Sequence, residues 1–225
     1  MNAYLAHLLS RVYDGALAPE HRADLSKSGL SDETIATQKI RSIPPAMIEG
    51  LLGFEAPKVC SAYLIPFADP RGGWFDHVRM KVFPPIATDS GTIKYLQPKR
   101  SGVRIYFPLA TLDAVLRSAA PVYFVEGEKK ALGVAQLGLL SIGICGIEGW
   151  HVAGSRALHP DLDDVGLRGR TVYLVPDADV RTNGAVHRAV HRLVDALGAR
   201  GVAEAKMVLV PPPFKGIDDF LAATA

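Results

Sequence analysis

The C-terminal part of the chain alternates strand-like runs with helical patterns, and this alternation restricts the possible folds more than any other feature. Four short runs rich in β-branched and aromatic residues are predicted strands: PVYFVEGE, LLSIGIC, TVYLVPDAD and AKMVLVPPP. Three helical patterns lie between or after them: KKALGVAQLG, GAVHRAVHRLVDALGARG and KGIDDFLA. Strands that alternate with helices form right-handed βαβ units, which give a mostly parallel sheet. We therefore predict an α/β domain over residues 119–225.

The N-terminal part, residues 1–118, has a different pattern and is predicted to begin with helices. Residues 1–56 have a helical pattern in which Ser31 is a good N-cap. Pro44–Pro45 should interrupt any helix that reaches them, because proline lacks the N–H that a helix interior needs.

Residues 59–108 change to short segments that are typical of strands. These segments are VCSAYLIPF, WFDHVRMKVF, IKYLQP and GVRIYFPL, and the turns DPRGGW and DSGT lie between them. We predict a small antiparallel sheet here, followed by a short helix over residues 110–118.

Composition excludes several classes of protein. The 225 residues are 48% hydrophobic and 21% charged, which is typical of a globular chain of one or two domains. No run approaches the ~18 apolar residues of a membrane span, and the N-terminus lacks the basic region of a signal peptide. The two cysteines, Cys60 and Cys145, are too far apart for a zinc ribbon and fit a reducing compartment. We expect a cytoplasmic protein with no membrane partner.

The formal net charge of +2 hides a basic segment. Residues 69–107 contain seven Lys or Arg against three Asp, interleaved with aromatic residues. Positive charge with aromatic rings suits the backbone and bases of single-stranded DNA. The candidate DNA-binding residues are Arg71, Trp74, Arg79, Lys81, Lys94, Lys99, Arg100 and Arg104. The alternative is a solvated charged surface, with most of the aromatic rings in the core of the small sheet.

Acidic residues stand at the carboxyl ends of the predicted strands. They are Glu126, Asp177, Asp179, Asp218 and Asp219. Because the carboxyl ends of parallel strands line one crevice, these side chains should converge there. Crowded carboxylates repel one another unless a cation joins them, and hard oxygen ligands without His or Cys suit Mg²⁺ or Mn²⁺. The alternative is that each acid is only a helix cap or a solvated loop residue.

The motifs VEGE, PDAD and GIDDF resemble those of the toprim domain, which DnaG-type primases share with type IA and II topoisomerases and some nucleases. The whole of residues 121–225 resembles the toprim-like domains of phage and plasmid replication proteins. The resemblance implies a toprim-like, Rossmann-like sheet with flanking helices, preceded by a smaller α+β subdomain. It also implies that Glu126, Asp177 and Asp179 are catalytic and bind metal, and that Asp218 or Asp219 completes the metal site.

The activity that this resemblance implies is primer synthesis, a metal-dependent nucleotidyl transfer. A single-stranded DNA template and nucleoside triphosphates would be the substrates, Mg²⁺ or Mn²⁺ the cofactor, and a replicative helicase a further partner. Two alternatives stay open. One is a toprim-type DNA nuclease that uses the same metal ions, and the other is a non-catalytic, nucleic-acid-binding accessory replication protein.

The sequence departs from the primase pattern at one position. Cellular primases commonly have an Asp four residues after the motif glutamate, and here that residue is Lys130. Together with Lys129 it places positive charge at the start of a predicted helix, where the helix dipole attracts anions. We expect these lysines to contact phosphate, with solvent-facing side chains as the alternative. The number of metal ions, one or two, stays open.

Overall fold

The computed structural model describes residues 17–89 and 91–224, which form two four-stranded sheets. The helical pattern predicted for residues 1–56 lies partly outside the described residues. Within the described ranges, no helix is both long enough and apolar enough to cross a membrane.

The first sheet is antiparallel throughout, as the sequence predicts. It contains β1 (Arg41–Ile43), β2 (Ser61–Ala68), β3 (Trp74–Thr88) and β4 (Gly91–Leu96), in that spatial order. The predicted turns DPRGGW and DSGT do join neighbouring strands. In the first of them Gly72 and Gly73 both adopt positive φ, a backbone conformation that glycine adopts without strain.

Three helices accompany this sheet: α1 (Pro19–Ser26), α2 (Asp32–Thr37) and α3 (Pro45–Leu52). Ser31 caps α2 as predicted, because its hydroxyl accepts the backbone N–H of Thr34. No helix runs through the two prolines, because α2 ends at Thr37 and β1 follows, in place of the helical pattern predicted there. Pro44 precedes α3 and Pro45 is its first residue, since a missing N–H costs nothing in the first turn.

The segment that follows β4 is not the predicted strand. Within GVRIYFPL only Tyr106 pairs, and it exchanges two backbone hydrogen bonds with Gly143, of 2.9 and 2.8 Å. The approach is close, because a Cβ at position 143 would lie 3.0 Å from the Cβ of Tyr106. A 3₁₀ turn, Leu109–Thr111, then leads into α4 (Leu112–Arg117), where the sequence predicts a short helix.

The second sheet is parallel. It contains β5 (Val122–Glu126), β6 (Ser141–Ile144), β7 (Thr171–Val175) and β8 (Glu204–Met207), in the spatial order β6-β5-β7-β8. The accompanying helices are α5 (Glu128–Gln136), α6 (Gly184–Ala199) and α7 (Ile217–Thr224). The predicted α/β class is confirmed. The fourth strand is shorter than predicted, because it ends at Met207 and the VPPP run lies outside it.

Side chains on one face of β2 help to join the two sheets. Tyr63, Ile65 and Phe67 belong to a buried cluster that also contains Val125 and Val175 of the parallel sheet. The intervening residues of β2 point to the opposite face and pack in a separate cluster with α3. The two sheets are therefore held together by a shared apolar core.

Candidate active-site cleft

Three of the predicted acidic residues meet at the carboxyl edge of the parallel sheet. Glu126 is the last residue of β5, and Asp177 follows β7 by two residues. The backbone N–H of Asp177 donates to Oε2 of Glu126 at 3.3 Å. Asp179 lies in the 3₁₀ turn Ala178–Arg181. Glu126 and Asp177 lie together because β5 and β7 are neighbours and end side by side.

The negative charges at this edge act on one another. Burial raises the pKa of the Glu126 carboxyl above its ordinary value, and the charges of Asp177 and Asp179 raise it further. The N–H of Asp177 and the amine of Lys130 act in the opposite direction. A positive charge placed among these carboxylates is therefore favoured.

The segment before α7 completes the acidic edge. The N–H of Ala178 donates to the carbonyl of Lys215 at 2.8 Å, which ties the loop after β7 to this segment. Asp218 is nearly buried and lines the cleft. Asp219 instead accepts the N–H of Gly216 through Oδ2 at 3.1 Å and is engaged in local structure at the start of α7.

The two adjacent lysines each bind a carboxylate. Nζ of Lys130 forms an ion pair with Oδ1 of Asp177, and Nζ of Lys129 lies 3.2 Å from Oδ2 of Asp24. Their side chains are 19% and 14% exposed, so the solvent-facing alternative does not describe them. Contact of either lysine with phosphate stays a prediction.

Asp24, on α1, is the residue that the sequence reasoning missed. Its carboxylate accepts from Nζ of Lys81 at 2.8 Å and from the hydroxyl of Tyr63 at 2.8 Å. Burial alone would raise the pKa of Asp24, but Lys81, Lys129 and Tyr63 together lower it below its ordinary value. No motif marks this position, because its partners come from β2, β3 and α5.

The basic segment divides into two groups, and the first faces the acidic edge across a cleft of about 340 Å³. Arg79, Lys81 and Lys94 reach this cleft from β3 and β4. Nη1 of Arg79 contacts Sγ of Cys145 and lies 3.9 Å from Oε1 of Glu128. The residues lining the cleft are Arg79, Lys81, Lys94, Tyr95, Glu126, Gly127, Glu128, Lys129, Lys130, Cys145, Gly146, Lys215 and Asp218.

The second group lies at a separate pocket of about 340 Å³. Lys99, Arg100 and Arg104 line it, together with neighbours from α3 and β3. Arg104 is the most constrained of the three, because its Nη1 donates to Oδ1 of Asp161 at 2.9 Å and its guanidinium lies over the ring of Phe75. The structure thus separates residues that the sequence places in one basic segment.

Arg71 and Trp74 belong to neither pocket. Arg71 is exposed and pairs with Asp69, with 3.0 Å between Nε and Oδ1. Trp74 begins β3 and packs against the core of the antiparallel sheet, with Nζ of Lys39 5.6 Å from its ring centre. Phe75, Tyr106 and Phe107 are buried, so the core alternative is correct for these aromatic residues.

The acidic edge is not a ready-made metal cage. Among residues 17–89 and 91–224, no three His, Cys, Asp or Glu side chains are gathered closely enough to hold a metal ion as they stand. The donor chemistry nevertheless fits a hard divalent cation. Glu126, Asp177 and Asp179 supply only carboxylate oxygens, and their mutual repulsion is what such a cation would relieve.

Solved structures with a similar fold are primase catalytic cores. The RNA polymerase domain of Mycobacterium tuberculosis primase DnaG is 13% identical, with 99% of this chain and 79% of that chain covered at a TM-score of 0.66. A DnaG primase catalytic domain bound to single-stranded DNA is 17% identical, with 99% and 79% covered at a TM-score of 0.58.

The Aquifex aeolicus primase, comprising its zinc-binding and RNA polymerase domains, is 16% identical at a TM-score of 0.65. The match covers 96% of this chain but spans only 56% of the Aquifex chain. No curated protein matches the sequence. At these identities the similarity establishes the fold, which is that of the DnaG primase catalytic core. The chain itself belongs to the family described as Domain of unknown function (DUF3854), whose profile matches residues 112–225.

Proposed function

We propose that this chain is a metal-dependent nucleotidyltransferase that synthesises primers on single-stranded DNA in phage- or plasmid-type replication. The observation that carries the proposal is the composition of the cleft. The carboxylates of Glu126, Glu128 and Asp218 line a space of about 340 Å³ together with cationic side chains from the antiparallel sheet. A polyphosphate substrate and a hard cation both find complementary charge there. The likeness in fold to primase cores supports the same proposal.

Primer extension joins a 3′-hydroxyl to the α-phosphorus of a nucleoside triphosphate and releases pyrophosphate. Such a reaction needs the substrate to be positioned and its charge to be neutralised more than it needs covalent help from the protein. Arg79, Lys81, Lys94 and Lys215 would hold the triphosphate, because all four line the cleft. Glu128 and Cys145 orient the guanidinium of Arg79 towards that space.

Glu126, Asp177 and Asp179 would hold Mg²⁺ or Mn²⁺, with Asp218 nearby. The bound ion would neutralise charge on the reacting phosphate and favour ionisation of the attacking hydroxyl. Glu126 also has the properties of a proton acceptor. It ends β5 and lines the cleft, where a substrate hydroxyl would enter.

The single-stranded template would follow the second basic group. Lys99, Arg100 and Arg104 offer cations at a separate pocket, so template and triphosphate need not compete for the same side chains. Arg71 and Trp74 would extend this surface. In this proposal residues 1–118 guide the template and help to hold the triphosphate, and residues 119–225 supply the carboxylates that would hold the metal ion. A replicative helicase supplies single-stranded DNA.

Incubation with single-stranded DNA, labelled nucleoside triphosphates and Mg²⁺ or Mn²⁺ tests the proposal. Wild type should give labelled oligomers, and Asp177→Ala or Asp179→Ala should reduce their yield by at least ~10²-fold, the scale for loss of an electrostatic catalytic group. Asp163→Ala is the matched control, because Asp163 is 63% exposed and pairs with Arg200 at the surface. Degradation of the template would instead identify a nuclease. DNA binding without either product would identify an accessory binding protein.

A further inference from the structure

Lys130 stands among the carboxylates of the cleft and not at its rim. Its ammonium forms an ion pair with Oδ1 of Asp177, and its charge acts on Glu126 as well. The side chain is only 19% exposed, so water covers little of it. Lys130 thus already supplies one positive charge to the acidic edge.

Gly216 shows how tightly this lysine is held. A Cβ at position 216 would lie 2.7 Å from Cε of Lys130 and 2.6 Å from Oδ1 of Asp218. The lysine side chain and the Asp218 carboxylate therefore crowd the same point from different directions. The bare backbone at position 216 lets Lys130 pass over it and reach Asp177.

Lys129 cannot provide the same charge. Its amine lies 3.2 Å from Asp24, a carboxylate that also binds Lys81 and Tyr63. The two neighbouring lysines of α5 therefore bind different carboxylates. Of the two, Lys130 is the one whose ammonium lies against Asp177.

We propose that Lys130 is a built-in cation that takes the place of one divalent metal ion, so that the cleft binds a single Mg²⁺ or Mn²⁺. This proposal rests on the metal-dependent function proposed above. The ammonium occupies the side of Asp177 near Asp218, and a second cation there would face both repulsion and lack of space. The remaining metal ion would bind the Glu126 and Asp179 side of Asp177.

Binding of Mn²⁺ without DNA or nucleotide tests this proposal. Free Mn²⁺ is counted by its electron paramagnetic resonance signal during titration of the full chain. We expect wild type to bind one Mn²⁺ in the cleft, and Asp179→Asn to weaken that site at least tenfold, which assigns the ion to the acidic edge. Lys130→Gln should bind a second Mn²⁺, because Asp177 loses its ammonium partner. Lys130→Arg should retain one.

Lys129→Gln is the matched control and should also retain one Mn²⁺, because Lys129 serves Asp24. Two cleft-bound Mn²⁺ in wild type would overturn the proposal, as would no Mn²⁺, or a Lys130→Gln protein that still binds one with unchanged affinity. If Lys130→Gln does not fold, the number of Mn²⁺ ions bound by wild type and by Lys130→Arg still tests the proposal. If wild type binds one Mn²⁺ but makes no primers, the proposed function alone is overturned. If wild type binds two Mn²⁺ and makes primers, only this inference is overturned.

Discussion

The two sheets contribute opposite charges to one cleft, and they do so from different parts of their strands. The parallel sheet presents Glu126 at the end of β5, where it lines the cleft, and Asp177 two residues after β7, where its N–H donates to Glu126. The antiparallel sheet presents Arg79 and Lys81 from the middle of β3. The acidic side chains thus lie at the ends of strands, whereas the basic side chains lie on the face of a sheet. The first arrangement follows from topology, and the second requires the two sheets to be docked correctly.

Central and edge strands of the two sheets also differ in how they are buried. In the parallel sheet, Phe124 of β5 is 1% exposed and lies in the largest apolar cluster of the described residues. In the antiparallel sheet, Ile93 of the edge strand β4 is 40% exposed. The central strand β5 is thus a core element, whereas β4 is open to solvent, as is β8 at the edge of the parallel sheet, where Met207 is 39% exposed.

The largest expected effect tests this difference in burial. Phe124→Ala should lower the free energy of unfolding by ~3–5 kcal/mol, because it leaves a cavity in the core. Ile93→Ala, on the open edge, should change it by less than ~0.5 kcal/mol. Urea unfolding followed by circular dichroism measures both. Equal losses for the two variants would show that the edge strand is as tightly packed as the parallel sheet.

The next effect is a dependence of stability on pH that arises in the antiparallel half. Burial, together with the charges of Arg79 and Arg104, lowers the pKa of His77 to about 4. An unfolded histidine titrates near ~6.5, so between these values the unfolded chain binds more protons. Stability should therefore be complete above pH ~6.5 and fall by up to ~3 kcal/mol as the pH drops towards ~4. His77→Gln should flatten this dependence.

The two tryptophans allow the halves to be followed separately in that experiment. Trp74 lies in the antiparallel sheet, and Trp150 is buried in the core of the parallel sheet. The Trp150→Phe variant reports on Trp74 alone, and the Trp74→Phe variant reports on Trp150 alone. As the pH falls, the signal of Trp74 should change first. Coincident transitions at every pH would show that the shared core makes the two sheets one cooperative unit. A stability that does not change from pH 7 to pH 5 would contradict the role given to His77.

The smallest expected effect concerns the ion pairs that join the halves. Asp24→Asn should cost about 1–2 kcal/mol, because Lys81 and Lys129 would keep their charges in a partly buried site without a counter-ion. Asp113→Asn is the control. It breaks a pair with Arg117 in which both side chains are more than 80% exposed, and it should cost less than ~0.5 kcal/mol. Urea midpoints at pH 7 measure both, and equal shifts would show that Asp24 is not a structural link.

The sequence alone predicts the parallel half well, and the reason is physical. Buried parallel strands are short apolar runs, and the residues that follow them meet at one edge whatever the details of packing. Glu126 and Asp177 could therefore be placed together before any coordinates were known. The same reasoning works for the hairpins around β3, because turn residues mark them locally.

What the sequence could not provide depends on contacts between distant segments. β1 is only three residues long and exists because it pairs with β2. Tyr106 pairs with Gly143 in place of extending a strand, since the edge of β6 is available there. Asp24 of α1 binds Lys81 and Lys129, which line the cleft, and no pattern in its own neighbourhood marks it. Each of these features is created by docking, which no local periodicity encodes.

The contact between Gly216 and Lys130 has a consequence for how this family can vary. Positions 130 and 216 lie 86 residues apart, yet any side chain at 216 would collide with Cε of the lysine. The same Cβ would lie 2.6 Å from Oδ1 of Asp218, so glycine at 216 is needed beside both Lys130 and Asp218. Relatives that lack glycine at 216 should therefore differ at positions 130 and 218 as well. In a relative that combines lysine at 130 with a bulky residue at 216, the lysine side chain would have to take a different path. Its charge would then no longer lie beside Asp177.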